Sequence, residues 1–174
     1  KRKANELKID NIDFIQGDIL DLKSIDRKFD IIESVGVLHH MDNPFKGWKI
    51  LTSCLNNDSL MLIGLYSEKA RQHIKQIKNR IDKLKLQSNY KNIVNFRRDL
   101  IENNNDEWNY IKSSPDFYTV SGVRDLLFHV QEHTFTISKI KKYLDKLGLT
   151  FLGLEDKLVK EKFKKIYTNK DDIY

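Results

Sequence analysis

Three short apolar runs constrain the fold of this chain most strongly. They span residues 12–15, 29–35 and 60–66, and the second lies between Lys28 and Gly36. Short, nearly continuous apolar strands are typical of a parallel sheet that is buried on both faces. We therefore predict a strand at each run, the first of them ending at Gly17-Asp18.

The segment between the second and third runs has helical spacing. Phe45, Trp48, Leu51 and Leu55 recur every three or four residues, and Pro44 stands where a first helical turn begins. Strand, helix and strand at these lengths predict a right-handed βαβ unit. The fold class expected from this pattern is α/β.

After residue 66 the apolar period becomes helical. Ile74, Ile77 and Ile81 form part of one stripe, so residues 67–86 are predicted to form a long amphipathic helix. Further helical segments are expected at residues 90–102, 106–112 and 136–147, the last stopped by Gly148, followed by a strand at 149–154 and a charged helix from 155.

Composition and charge exclude several classes of protein. Cys54 is the only cysteine, so the chain holds neither a disulfide framework nor a cysteine zinc site. No run reaches the roughly 20 apolar residues of a membrane span, and because no apolar stretch follows residues 1–5 we expect no signal peptide. The net charge of +6 is spread along the chain. We expect a cytoplasmic protein with no membrane and no nucleic-acid partner.

Residues 29–44, FDIIESVGVLHHMDNP, resemble the fourth strand of class I (Rossmann-type) S-adenosylmethionine-dependent methyltransferases. That strand typically reads F-D, a hydrophobic pair, a small or polar residue, a "vLhH" loop and a proline-opened helix. Residues 17–19 and 55–60 are similar to the segments flanking it, although Asp58-Ser59 replaces the usual glycines. Residues 121–136 are similar to a bacterial group often fused to tetratricopeptide repeats.

The resemblance implies a partial Rossmann-like methyltransferase sheet containing strands 3, 4, 5 and 6 of the family order. Residues 1–66 and 134–174 would form the partial core. Residues 67–133 would form a helical cap, inserted on the substrate side after the fifth strand.

The resemblance also implies a cofactor site for S-adenosylmethionine. Asp18 corresponds to the acidic residue that accepts a hydrogen bond from the adenine amino group, and Ile19 to the side chain against the ring. Glu33, Ser34, Val35 and Gly36 correspond to the stretch beneath the methionine part of the cofactor. Their place fits the rule that ligands of open α/β sheets bind beyond the carboxyl ends of the strands.

Two groups of side chains are expected on the acceptor side. Because His39 and His40 are adjacent, only one can face the acceptor, where a neutral imidazole could act as the catalytic base. Arg124, His129 and His133 are predicted to line the substrate pocket. A polar wall of this kind suits an acidic or carbonyl-bearing acceptor, either a small molecule or a protein.

Two alternatives remain open from the sequence. Residues 129–133 match the H-x-x-E-H pattern of zinc hydrolases, although we assign no metal ligand. The sequence also contains no D/E-x-G-x-G-x-G loop, which in the family meets the cofactor. We therefore expect a fragment that is inactive alone, or else a degenerate methyltransferase fold that serves as a binding module.

Overall fold

The computed structural model describes residues 1–103, 108–156, 158, 161–162 and 165. The chain divides into two compact units. The first, which we call the α/β unit, contains Lys1–Leu65 and Val130–His133; the second, the helical unit, contains Tyr66–His129 and Thr134–Tyr174. The division predicted from the sequence assigns a function to each part, with residues 1–66 and 134–174 as the methyltransferase core and residues 67–133 as the cap. That assignment stays a prediction.

The α/β unit is built around two parallel strands. Its elements are helix α1 (Arg2–Glu6), a 3-10 helix (Ile19–Ser24), strand β1 (Phe29–Val35), a 3-10 helix (Leu38–His40), helix α2 (Pro44–Ser53) and strand β2 (Leu55–Gly64). Ile31 lies opposite Leu60, and Val35 lies opposite Gly64. The mixed α/β class and the predicted strand–helix–strand unit are therefore confirmed.

Helix α2 begins where its sequence indicates, at Pro44, but it ends at Ser53, and Leu55 of the predicted helix is the first residue of β2. The Asn43 side chain accepts a hydrogen bond from the Lys46 amide at 3.1 Å, and Pro44 occupies the first turn. Trp48 and Ile50 are buried. Helix α2 contacts both 3-10 helices of the unit, the one that precedes β1 and the one in the loop after β1.

Strand β2 contains a left-handed residue where its pairing with β1 is irregular, between the pairs Phe29–Leu55 and Ile31–Leu60. Asp58 has φ +56°, a conformation that aspartate tolerates better than most residues. The Ser59 hydroxyl donates to the Asn56 carbonyl, and the Asn56 amide donates to the Asp30 carboxylate at 2.7 Å. Asp58 therefore supplies a left-handed backbone conformation where the resembled family uses glycines.

Two predicted strands are wrong. Residues 12–15 have no regular secondary structure, and Ile12 and Ile15 are 47% and 74% exposed. Residues 149–154 are irregular as well. Within the described ranges no neighbouring strand pairs with either segment, and an apolar run becomes a strand only when a neighbour satisfies its backbone groups.

The helical unit contains most of the remaining regular structure. Its elements are α3 (Gln72–Lys83), α4 (Tyr90–Glu102), α5 (Asn109–Lys112), a 3-10 helix (Pro115–Tyr118), α6 (Val120–Leu127) and α7 (Ile137–Leu147). Helix α3 begins five residues later than predicted, because Ser67 is extended and forms a parallel bridge with Phe135. Helix α7 follows the prediction, with Thr136 as its cap and Gly148 at φ +68°.

A cluster of buried apolar side chains forms the core of the helical unit. Helix α6 packs against α3, α4 and the 3-10 helix before it. The cluster comprises Ile74, Ile77, Ile81, Ile93, Phe96, Leu100, Trp108, Ile111, Phe117, Val123, Leu126, Leu127 and Phe128. The predicted α3 stripe is thus confirmed at Ile74, Ile77 and Ile81. Residues 106–107 and most of the predicted charged helix from 155 lie outside the described residues.

Within the ranges described, no helix is both long enough and apolar enough to cross a bilayer.

Candidate functional site

The carboxyl end of β1 carries two features that suit ligand binding, the hydroxyl of Ser34 and the backbone of Gly36. Ser34 is buried, and its Oγ has no hydrogen-bond partner within the described part of the chain. Gly36 has φ +77°, and a Cβ placed on it would meet no atom within 4 Å. A buried hydroxyl without a partner costs folding free energy, and a left-handed glycine lets another group approach the backbone. Both are typical of a site rather than of a core.

The two strands approach closely at this same end. A Cβ on Gly64 would lie 2.7 Å from Val35 Cγ1 and 3.1 Å from Val35 Cα. Any side chain at position 64 would therefore displace Val35, the residue before Gly36. Sequence reasoning missed this role of Gly64, although a glycine inside an apolar run is a known signal of close backbone approach.

Asp18 and Ile19 lie at the start of the first 3-10 helix. Asp18 Oδ1 accepts a hydrogen bond from the Leu20 amide at 2.8 Å and caps the helix, while its carboxylate is exposed. Ile19 is half-buried. An exposed carboxylate can accept further hydrogen bonds, including one from an amino group.

The two adjacent histidines have different environments. His39 is 1% exposed, whereas His40 is half-buried, and their ring centroids are 4.2 Å apart. A side chain as enclosed as His39 cannot meet an incoming acceptor without rearrangement of the loop. Of the two predicted bases, the geometry favours His40.

Residues 131–133, which we call the strap, are hydrogen-bonded to residues 36–43, the loop after β1 that carries His39 and His40 and that we call the histidine loop. The His133 amide donates to the His39 carbonyl at 2.8 Å, and His40 Nδ1–H donates to the Gln131 carbonyl at 3.0 Å. The Gln131 side-chain amide lies 3.3 Å from the Met41 carbonyl. Sequence reasoning missed Gln131; its position between two predicted pocket residues, His129 and His133, was the available signal.

The predicted substrate-pocket residues belong to different parts of the fold. Arg124 is exposed on α6, and His129 follows the end of that helix. His133 belongs to the strap in the α/β unit. That these three side chains line one pocket stays a prediction.

The zinc-hydrolase alternative loses its structural basis. The H-x-x-E-H pattern requires one helix, so that its two histidines lie on the same face. The backbone over residues 128–134 is not helical. The reason is the strap, whose backbone groups are hydrogen-bonded to the loop after β1 rather than to a helical turn of their own.

His73, in the helical unit, is a titratable group that sequence reasoning did not single out. Burial, and secondarily the charge of Arg71, lowers the pKa of His73 below its ordinary value of 6.5. Its ring packs against Tyr110, with centroids 3.8 Å apart. This arrangement favours the neutral imidazole.

Comparison with known families identifies the class of protein. Residues 1–117 match a family described as "Methyltransferase domain". The chain therefore belongs to this methyltransferase domain family, and the predicted methyltransferase identity is confirmed at that level. The matched stretch contains the β1–α2–β2 unit and the loop that carries Gly36, His39 and His40.

One relative is similar to most of the chain. The chain is 28% identical over 155 residues to the uncharacterized protein syc1184_c of Synechococcus sp. (strain ATCC 27144 / PCC 6301 / SAUG 1402/1). The similarity covers 85% of this chain and 37% of that protein. The chain thus spans well under half the length of this relative.

Proposed function

We propose that the protein transfers a methyl group from S-adenosylmethionine to a small-molecule or protein acceptor, within a Rossmann-type fold of the group often joined to tetratricopeptide repeats. The observation that carries the proposal is the parallel β1–α2–β2 unit inside the family match, with a polar loop leaving the carboxyl end of β1. In open α/β sheets this is the end at which ligands bind.

The residues at the end of β1 fit the methionine part of such a ligand. The Ser34 hydroxyl is buried without a described partner, so a ligand amino or carboxylate group would satisfy it. Gly36 leaves open space above its backbone. Together with Glu33 and Val35 they would hold this part, and Asp18 and Ile19 would hold the adenine. When bound, S-adenosylmethionine supplies a methyl group already activated by a positively charged sulfur.

His40 is the proposed base of the reaction. Its half-buried ring belongs to the loop after β1 and can accept a proton from an acceptor hydroxyl or amine. His39 would support the loop, because its ring is enclosed and its carbonyl holds the strap. Arg124, His129 and His133 are proposed to contact an acidic or carbonyl-bearing acceptor.

Calorimetric titration of S-adenosylmethionine and S-adenosylhomocysteine tests the cofactor site. The protein is expressed from its full native coding sequence. Asp18→Asn keeps a capping side chain but removes the charge, and it should weaken both ligands about tenfold or more, since hydrogen bonds to charged groups contribute roughly 1.5–3 kcal/mol. Asp21→Asn, three residues along the same 3-10 helix, is the matched control and should leave both affinities unchanged.

Ser34→Ala provides a second, independent signature. Removal of a buried hydroxyl without a partner should raise the free energy of unfolding by about 1 kcal/mol, while it weakens binding of the same ligands. A structural residue would give loss of stability instead. If the unvaried protein binds neither ligand, the methyl-transfer proposal fails, and the degenerate binding module becomes the better description.

A further inference from the structure

The strap and the histidine loop are joined by hydrogen bonds that run in both directions. The loop accepts from the strap at the His39 carbonyl, over 2.8 Å, and donates to it from His40 Nδ1, over 3.0 Å. The two groups joined are more than 90 residues apart in sequence. A contact of this kind fixes both the position of the loop backbone and the orientation of the His40 ring.

The partner of His40 determines where its proton lies. A backbone carbonyl can only accept a hydrogen bond, so His40 Nδ1 must carry the hydrogen. In the neutral ring the lone pair is then on Nε2. The structure thereby specifies one of the two neutral tautomers, and Nε2 is the nitrogen that can receive a proton.

The Gln131 side chain also joins the strap to the histidine loop. Its terminal atom near the Met41 carbonyl must be the amide nitrogen, because the carbonyl only accepts. The same nitrogen lies 3.4 Å from His133 Nε2, which must then accept. The Gln131 side chain therefore contacts both Met41 and His133, while the main-chain carbonyl of Gln131 accepts the hydrogen bond from His40.

We propose that Gln131 is a positioning residue that sets the Nδ1–H tautomer of His40 and so directs Nε2 as the base, an inference that rests on the proposed function of His40. Gln131 acts through its main-chain carbonyl, which accepts a hydrogen bond from His40 Nδ1–H, and through its side-chain amide, which keeps that carbonyl in place. It need not touch the acceptor or the cofactor.

Nitrogen NMR of the histidine rings tests this without any assay of methyl transfer. The protein, from its full native coding sequence, is labelled with ¹⁵N-histidine and measured at about pH 8, above the ordinary histidine pKa of about 6.5. Signals are assigned from those lost in His40→Gln and His133→Gln. His40 should show a protonated Nδ1 and an unprotonated Nε2, and so should His133. A His40 ring protonated mainly on Nε2 overturns the proposal.

Two variants of Gln131 separate positioning from mere packing. Gln131→Met keeps the length of the side chain but has no N–H donor, so the rings of His40 and His133 should shift toward a mixture of tautomers. Gln131→Glu replaces the donor near His133 with an acceptor, so the His133 proton should move to Nε2. If the Gln131 side chain only fills space, neither variant should change the tautomers of His40 and His133. That result contradicts the proposal.

Gln76→Met is the matched control, because Gln76 is exposed on α3 in the helical unit and its substitution should leave the His40 and His133 signals in place. Thermal unfolding of each variant shows that it is folded. The readout is independent of cofactor binding: a correct tautomer without binding of S-adenosylmethionine would reject the proposed function alone, whereas normal binding with the wrong tautomer would reject the role of Gln131 alone.

Discussion

The two units bury their apolar side chains to different extents. In the helical unit Ile77, Ile93 and Leu100 are fully enclosed. In the α/β unit Ile31 and Leu60, which lie opposite each other on β1 and β2, are 70% and 52% exposed. An amphipathic helix can bury its stripe against the next helix along the chain, whereas a sheet face needs elements that are distant in sequence. The difference therefore separates the helical unit, whose apolar contacts join neighbouring helices, from the sheet of the α/β unit, whose faces need contacts from elements distant in sequence.

The largest effect expected from this comparison concerns two isoleucines. Ile77→Ala removes a fully enclosed side chain and should lower the free energy of unfolding by about 2–5 kcal/mol. Ile31→Ala removes an exposed one and should cost under about 1 kcal/mol, mostly through strand propensity. Urea denaturation followed by far-ultraviolet circular dichroism measures both. Equal losses would mean that the sheet face of β1 is covered in solution, and the contrast between the units would fail.

Alanine substitution of two helical glycines should also lower the free energy of unfolding more in the helical unit than in the α/β unit, but the difference should be smaller than for the isoleucines. A Cβ on Gly122 of α6 would collide with the backbone carbonyl of Asp116 and lie 2.8 Å from its Cα, so Gly122→Ala should cost about 1–3 kcal/mol. A Cβ on Gly47 of α2 would meet the flexible Met41 side chain and Leu38 Cδ2 at 3.0 Å. Met41 can move, and alanine favours helix by about 1 kcal/mol.

Gly47→Ala should therefore leave the free energy of unfolding nearly unchanged. Chemical denaturation of the two glycine variants side by side measures the difference. A loss at Gly47 as large as that at Gly122 would show that the histidine loop, which contains Met41, is packed as rigidly as the helical core.

The accuracy of sequence reasoning follows the same division. Helices α2, α4 and α7 were predicted within two residues of their ends, because caps such as Asn43 and Thr136 and the stop at Gly148 are local signals. Strands β1 and β2 were also recognised, although β2 begins five residues before the predicted start. Residues 12–15 and 149–154 were predicted as strands from apolar content alone, which does not show whether a partner is present.

The candidate site was only partly predictable for the same reason. The loop after β1 could be recognised from Gly36 and the two histidines, since all belong to one continuous segment. Gln131 meets His40 across more than 90 residues, and no spacing rule connects them. The unpartnered hydroxyl of Ser34 and the closeness of Gly64 to Val35 likewise depend on tertiary structure.

Helix caps should show where the two units behave alike. Asn43 accepts from the Lys46 amide in the α/β unit, and Thr136 accepts from the Lys139 amide at 3.2 Å in the helical unit. Because a cap is local, Asn43→Ala and Thr136→Ala should each cost about 1 kcal/mol, whatever the burial of the surrounding unit. Thermal and chemical denaturation of both variants test this. A cost confined to Thr136 would show that stability of the α/β unit does not depend on α2.

The smallest expected effect is a pH dependence in the helical unit. Burial first, and then the charge of Arg71, lowers the pKa of His73 in the folded state, so the unfolded chain binds a proton more readily than the folded one. The contribution is fully present above about pH 6.5, the unfolded value, and it is lost as the pH falls through the lower folded value. The free energy of unfolding should therefore decrease as the pH is lowered from about 7. His73→Gln should reduce this slope, whereas Lys75→Gln, exposed on the same helix, should not. If the slope in His73→Gln is unaltered, the surroundings of His73 do not favour its neutral form. The half-buried site of His73 would then accept a charged side chain as readily as the exposed sheet face of the α/β unit does.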